Sequence, residues 1–245
     1  MMKIEVIRYD DSSFEKPVAV VGLPSMGLVG PILVSFIARE LEMKVLAGMT
    51  SPDIPPYCLV QGGVPYPPIR MYGCARRNAT PACGDLIAVT SEIVPKPEQC
   101  YEFTVAVMDA LRDRGTSMIV CLEGVPSMDG EDAMVACGSS EAMREMIGGL
   151  GIRLLSDGLV RGISGVMLYE GARMGMDVIS IMCPTSPSLP DPRAAARILE
   201  PLSKIIPELA IDADPLYKEA EDIDARMRSQ EEYDARSTDL QKLYG

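Results

Sequence analysis

Val18-Ala-Val-Val-Gly-Leu-Pro-Ser-Met-Gly-Leu-Val-Gly30 decides the fold. Val18 to Val21 is a short apolar run of the kind that forms a buried strand. Gly22, Gly27 and Gly30 then let the backbone turn sharply or approach its neighbours closely. Beyond the turn Leu28, Ile32, Phe36 and Leu41, with Val29, Leu33 and Ile37 beside them, recur at helical spacing and mark one broad apolar face. A strand, a tight turn and a helix in this order open an α/β domain. The turn is also a candidate ligand loop, with Gly22, Ser25, Gly27 and Gly30 as its residues.

Working outward, residues 2 to 9 alternate as a strand, and Val45 to Thr50 reads as a second buried strand that completes a β-α-β unit. Residues 51 to 68 contain six prolines and cannot form the middle of a sheet. Tyr57 to Val60 and Ile69 to Tyr72 are expected to pair there as an edge hairpin, bending near Gly62-Gly63. Asp85 to Thr90 returns to the sheet interior. A helix follows from about Pro97 to Arg114, with Gly115 as its stop. Ser117 to Leu122 is the next strand, and residues 139 to 150 a short helix ended by Gly148-Gly149. A helix from Gly162 to Arg173, a strand from Val178 to Met182 and a helix after Asp191-Pro192 complete the series, the last marked by an aspartate N-cap and a proline in first position. Alternating strands and helices predict a three-layer α/β fold, a mainly parallel sheet covered on both faces, with an edge hairpin.

The composition shifts after residue 206. Residues 207–245 hold eleven acids and five bases, a net charge of −6 out of −12 for the whole chain. The chain therefore divides into an α/β core, 1–206, and an acidic C-terminal helical segment with a flexible tail, 207–245. The helix starts near Asp214, and its narrow seam of Leu216, Ala220, Ile223 and Met227 suits either a partner helix or the chain's own core.

Several function classes fall away at this level. A net charge of −12 opposes nucleic-acid binding, which concentrates Lys and Arg on phosphates. No apolar run is long enough for a membrane span, and the N-terminus alternates like a strand rather than a signal peptide, so a cytoplasmic protein is expected. Seven cysteines without a C-x-x-C spacing read as reduced thiols, and no metal is expected. The absence of histidine removes Ser-His-Asp and Cys-His nucleophiles and the usual zinc motifs.

The candidate sites are weak by their own chemistry. Gly27 is followed by Leu28-Val29, whereas a P-loop requires Lys and Ser or Thr. Only the latter half of a dinucleotide fingerprint is present, so the loop reads first as a packing turn, with anion binding at the helix N-terminus as the alternative. Ser25 lacks both the nucleophile-elbow spacing and a base. Ser13-Phe-Glu-Lys16 matches S-x-x-K in a polar turn, a short match that arises by chance. Glu92 and Glu123 each follow an apolar run at a potential strand end, where ligands bind in open α/β sheets. They read as solvated loop acids before they read as a pair sharing a proton or a metal.

Gly22-Leu-Pro-Ser-Met-Gly-Leu-Val-Gly30, Ile54-Pro-Pro56, Leu122-Glu-Gly124, Gly162-Ile-Ser-Gly165 and Asp191-Pro-Arg-Ala-Ala195, taken together, resemble the archaeal proteasome assembly chaperone family over about residues 17 to 205. The resemblance implies a three-layer fold shaped like the nucleoside phosphorylases, homo-oligomeric assembly and binding to proteasome α subunits. Leu243, Tyr244 and Gly245 also resemble the hydrophobic-tyrosine-any tail of 20S proteasome regulators, in which the carboxylate meets a lysine between α subunits and the tyrosine helps set the gate. An ATP-independent, cofactor-free assembly chaperone or activator, with the tail as its partner-binding residues, is the expectation that follows. The rival is a small-molecule or nucleotide-binding enzyme that uses the strand ends near Gly22 to Gly30, Glu92 and Glu123.

Overall fold

The computed structural model describes residues 4–74, 85–127, 132–186 and 189–227. The apolar run that opened the sequence reading forms β2 (Val18–Gly22), which lies in the middle of a nine-stranded sheet. It pairs in parallel with β7 (Leu86–Ser91) on one side and with β8 (Met118–Val125) on the other. Next to β8, β11 (Asp177–Pro184) is also parallel. These four strands are buried along nearly their whole length, as strands covered on both faces must be.

Antiparallel pairs flank this parallel centre. Beyond β7 come β6 (Ile69–Cys74), β3 (Lys44–Thr50) and β1 (Glu5–Arg8), each antiparallel to its neighbour. Beyond β11 come β9 (Val135–Gly138), antiparallel to it, and the short β10 (Arg153–Leu154). The expected mainly parallel sheet is thus present, with its parallel strands concentrated where burial is greatest.

Helices cover both faces. On one, α1 (Val29–Glu40), α3 (Glu141–Leu150) and α5 (Pro192–Ile205) share a core with Val20, Val120 and Ile181. On the other, α2 (Cys100–Arg112) and α4 (Gly162–Met174) pack on Ala19, Val21 and Ile119. A last helix, α6, occupies described residues 214–227. Leu216 and Ala220 of its seam are buried, and Leu216 belongs to the first core, whereas Met227 is exposed. The near half of the seam is therefore occupied by the chain's own core. Among the described residues no helix is long and apolar enough to cross a membrane.

Four local expectations need correction. β3 does run in the same direction as β2, but β6 and β7 lie between them, so the first β-α-β unit spans two intervening strands. The hairpin at Gly62-Gly63 joins β4 (Leu59–Gln61) to β5 (Val64–Tyr66) as a separate ribbon, and Ile69 to Tyr72 belongs instead to buried β6. Helix α3 ends at Leu150 as expected, but its stop is Gly151, whose φ of 74° is the left-handed cap, and not Gly148-Gly149. Its buried stripe of Met143, Ile147 and Leu150 supplies the packing that carries the helix past two poor formers. Finally, Cys58, Cys100, Cys121, Cys137 and Cys183 are free thiols, but Cys74 is disulfide-bonded.

Candidate functional site

The glycine loop leaves β2 at the carboxyl end of the parallel centre. Its glycines are placed by contact. A Cβ on Gly22 would collide with the Gly30 carbonyl, and one on Gly30 would lie 2.7 Å from the Leu122 carbonyl oxygen. The loop and the first turn of α1 therefore sit directly against β8. Gly27 has φ 63° and faces the Thr185 hydroxyl, which hydrogen-bonds the Asp191 carboxylate at 2.6 Å. Asp191 also caps α5 by accepting from the Ala194 N–H at 2.9 Å, and its own N–H donates to the Gly27 carbonyl. An acid thus stands at the loop; close backbone packing accounts for Gly22 and Gly30, and a positive φ beside the Thr185 and Asp191 side chains accounts for Gly27. Leu28, expected on the helix face, adopts a left-handed conformation ahead of α1 and is exposed.

A cavity of about 530 Å³ opens between this loop and α4. Leu23, Ser25 and Met26 form one wall, Leu122 to Pro126 the floor, and Leu159 to Ser164 the opposite wall. Ser25 Oγ accepts from the Gly124 N–H at 3.0 Å, which ties the loop to β8. The serine is thus a structural acceptor.

Glu123 gives the cavity its charge. It is a strand residue and largely buried, not the solvated loop acid its sequence position suggested. Burial raises its pKa, opposed only in part by the Ser164 hydroxyl from the first turn of α4. Among the described residues it forms no ion pair. Cys121 and Cys137 face the same acid, and burial pushes the Cys137 thiol up to about 11, with the nearby Glu123 charge acting the same way. Both thiols are therefore protonated and unreactive at neutral pH.

Glu92 has a different role. Its carboxylate meets both terminal nitrogens of Arg70, at 2.6 and 2.5 Å. Arg70, on β6, is almost fully buried, and its Nε donates to Tyr72 Oη at 2.8 Å. Tyr72 Oη in turn donates to the Gln61 side chain, which fastens the β4–β5 ribbon to the sheet. The structure brings Glu123 to the glycine loop and leaves Glu92 outside the cavity, committed to an arginine. No group of three or more His, Cys, Asp or Glu among the described residues could hold a metal ion. Sequence reading missed Arg161 and Ser164 as cavity residues, although the helix start at Gly162 offered the signal. Ser13 to Lys16 lies apart, at a bend leading to β2. Leu243, Tyr244 and Gly245 lie outside the described residues.

A parallel-centred mixed sheet between two helical layers, with a loop-lined cavity at its carboxyl ends, defines a three-layer α/β protein. The chain belongs to the PAC2 family, whose sequence pattern matches residues 19–231. It is similar to PbaA of Pyrococcus furiosus, described as an archaeal homolog of proteasome-assembly chaperone, with 30% identity and a TM-score of 0.82 over 97% of each chain. PbaB of the same organism, described as an archaeal proteasome activator, shares the fold with a TM-score of 0.80 and 24% identity over 94% of this chain and 100% of that one. An uncharacterised protein of Methanocaldococcus jannaschii is 26% identical over 215 residues, 88% of this chain and 85% of its own.

Proposed function

We propose that the protein acts on the 20S proteasome as an ATP-independent assembly chaperone or activator, as a homo-oligomer whose Leu243, Tyr244 and Gly245 engage the α subunits. The observation that carries this reading is the likeness to PbaA along 97% of both chains, with identity high enough to extend beyond fold. The composition agrees with a protein partner. The chain is acidic, has no histidine for the common nucleophile systems, and keeps its glycine loop closed by backbone contacts.

Co-sedimentation with reconstituted α rings tests the reading with three proteins: the intact chain, a chain lacking residues 243–245, and a chain with one residue added after Gly245. The intact chain should sediment with the rings and the two altered chains should not. Retained binding by both altered chains would overturn the tail mechanism. Absence of binding by the intact chain would overturn the proteasome reading itself.

A further inference from the structure

The cavity beside the glycine loop has chemistry that binding to a proteasome does not use. Its volume of about 530 Å³ is in the usual range for small-molecule sites. Its walls are apolar, with Val21, Leu23, Val94, Leu122, Ile163 and Met182 among them. Into this lining the chain places one carboxyl group, Glu123, with the Ser164 hydroxyl beside it. A carboxylate withdrawn from water without a cation is costly, and a ligand ammonium in the cavity would offset that cost.

The opposite charge is supplied from another wall of the same cavity. Ser164 stands in the first turn of α4 and lines the cavity with Glu123, so the N-terminus of that helix opens to the same space as the carboxyl group. The first-turn N–H groups have no intrahelical acceptors, no acid occupies the turn, and the N-cap residue Arg161 makes no side-chain capping bond. Arg161 lines the cavity and forms no ion pair among the described residues. A negative group on the floor and a positive one on the wall of the same apolar cavity match a molecule that carries both charges together with an apolar body.

The geometry points to a binding site for a zwitterionic apolar molecule of the amino-acid or short-peptide class, with its ammonium on Glu123 and its carboxylate toward Arg161 and the first turn of α4. This assignment does not depend on the proteasome reading.

The test is a thermal-unfolding titration of the full chain with L-leucine, the dipeptide Leu-Leu, leucinamide and 4-methylpentanoate. Leucine or Leu-Leu should raise Tm saturably, by roughly 5 °C or more at a hundredfold excess over Kd. 4-Methylpentanoate, which lacks the ammonium, should give no shift. Glu123→Gln should weaken leucine or dipeptide binding at least tenfold, and Arg161→Ala should weaken it without affecting leucinamide. Val94 is 71% exposed at the mouth, so Val94→Trp blocks entry without disturbing the core and provides a second, independent variant. The tighter of leucine and Leu-Leu identifies whether a free amino acid or a peptide is the occupant. Absence of a shift with every probe, or a shift unchanged by both Glu123→Gln and Val94→Trp, would overturn the assignment.

Discussion

Glu92 and Glu123 present the same pattern in the sequence, an acid directly after an apolar run, and the structure gives them opposite environments. Arg70 explains the difference. It reaches Glu92 from an adjacent strand, and because the guanidinium is almost wholly buried, the pair persists only with both hydrogen bonds made. Glu123 receives no cation, so its charged form is disfavoured and its pKa lies above the ordinary carboxylate value of 4.5. The native state therefore holds this proton more tightly than the unfolded chain. Between the two pKa values the native state binds more protons, and stability falls as pH rises. The contribution of Glu123 is fully present below about 4.5 and is lost as pH rises through its folded pKa. Glu123→Gln removes this titration. Urea midpoints measured from pH 4 to pH 8 should show the wild type losing ground to the variant as pH rises; parallel curves would mean that Glu123 titrates normally. The position of Glu123 at a strand end was legible in the sequence. Its burial was not, because it depends on α4, which is contributed by residues some forty positions later.

At the scale of elements, local pattern succeeded where packing followed it. β2, α1, α2, β11 and α5 were all readable, since each carries an apolar run or stripe between recognisable caps, and Asp191 does cap α5. The failures concern pairing, which composition does not encode. Ile69 to Tyr72 has the residues of a strand, but its insertion between β3 and β7 depends on partners far apart in the chain. β9 and β10 have four and two residues, too short for a periodic signal. Gly148-Gly149 misled for a third reason: both glycines are strong breakers locally, but the buried stripe of α3 overrides their propensity. The same observation yields a stability prediction. Both positions are exposed, neither has the positive φ that requires glycine, and an added Cβ at either meets nothing within 4 Å. Gly148→Ala and Gly149→Ala should each stabilise the protein by about 0.5 to 1 kcal/mol, chiefly by restricting the unfolded chain. Chemical denaturation of the single and double variants checks this. A loss of stability in either single variant would contradict a helix that continues to Leu150.

For the whole molecule, the proposed partner binding and the observed fold meet in α6. The near half of its seam is buried against the core through Leu216 and Ala220, so residues 228–245 follow an element anchored to a rigid domain. Three residues, Leu243, Tyr244 and Gly245, offer too little surface for tight binding alone, because association must first offset the translational and rotational freedom it removes. Acidic charge adds a further demand: half of the chain's net charge lies in residues 207–245, and those side chains repel one another when several copies converge on one ring. Multiplicity is the physical means of overcoming both costs. Copies displayed by one oligomer turn every engagement after the first into an intramolecular event, which raises overall binding by about 10² to 10⁴ without any new contact. A synthetic peptide of residues 228–245 should accordingly bind α rings at least 100-fold more weakly than the intact protein. Surface-immobilised rings titrated with each species would measure the ratio. Comparable affinities would show that one tail suffices, and the proposed homo-oligomer would then have to serve a purpose other than avidity.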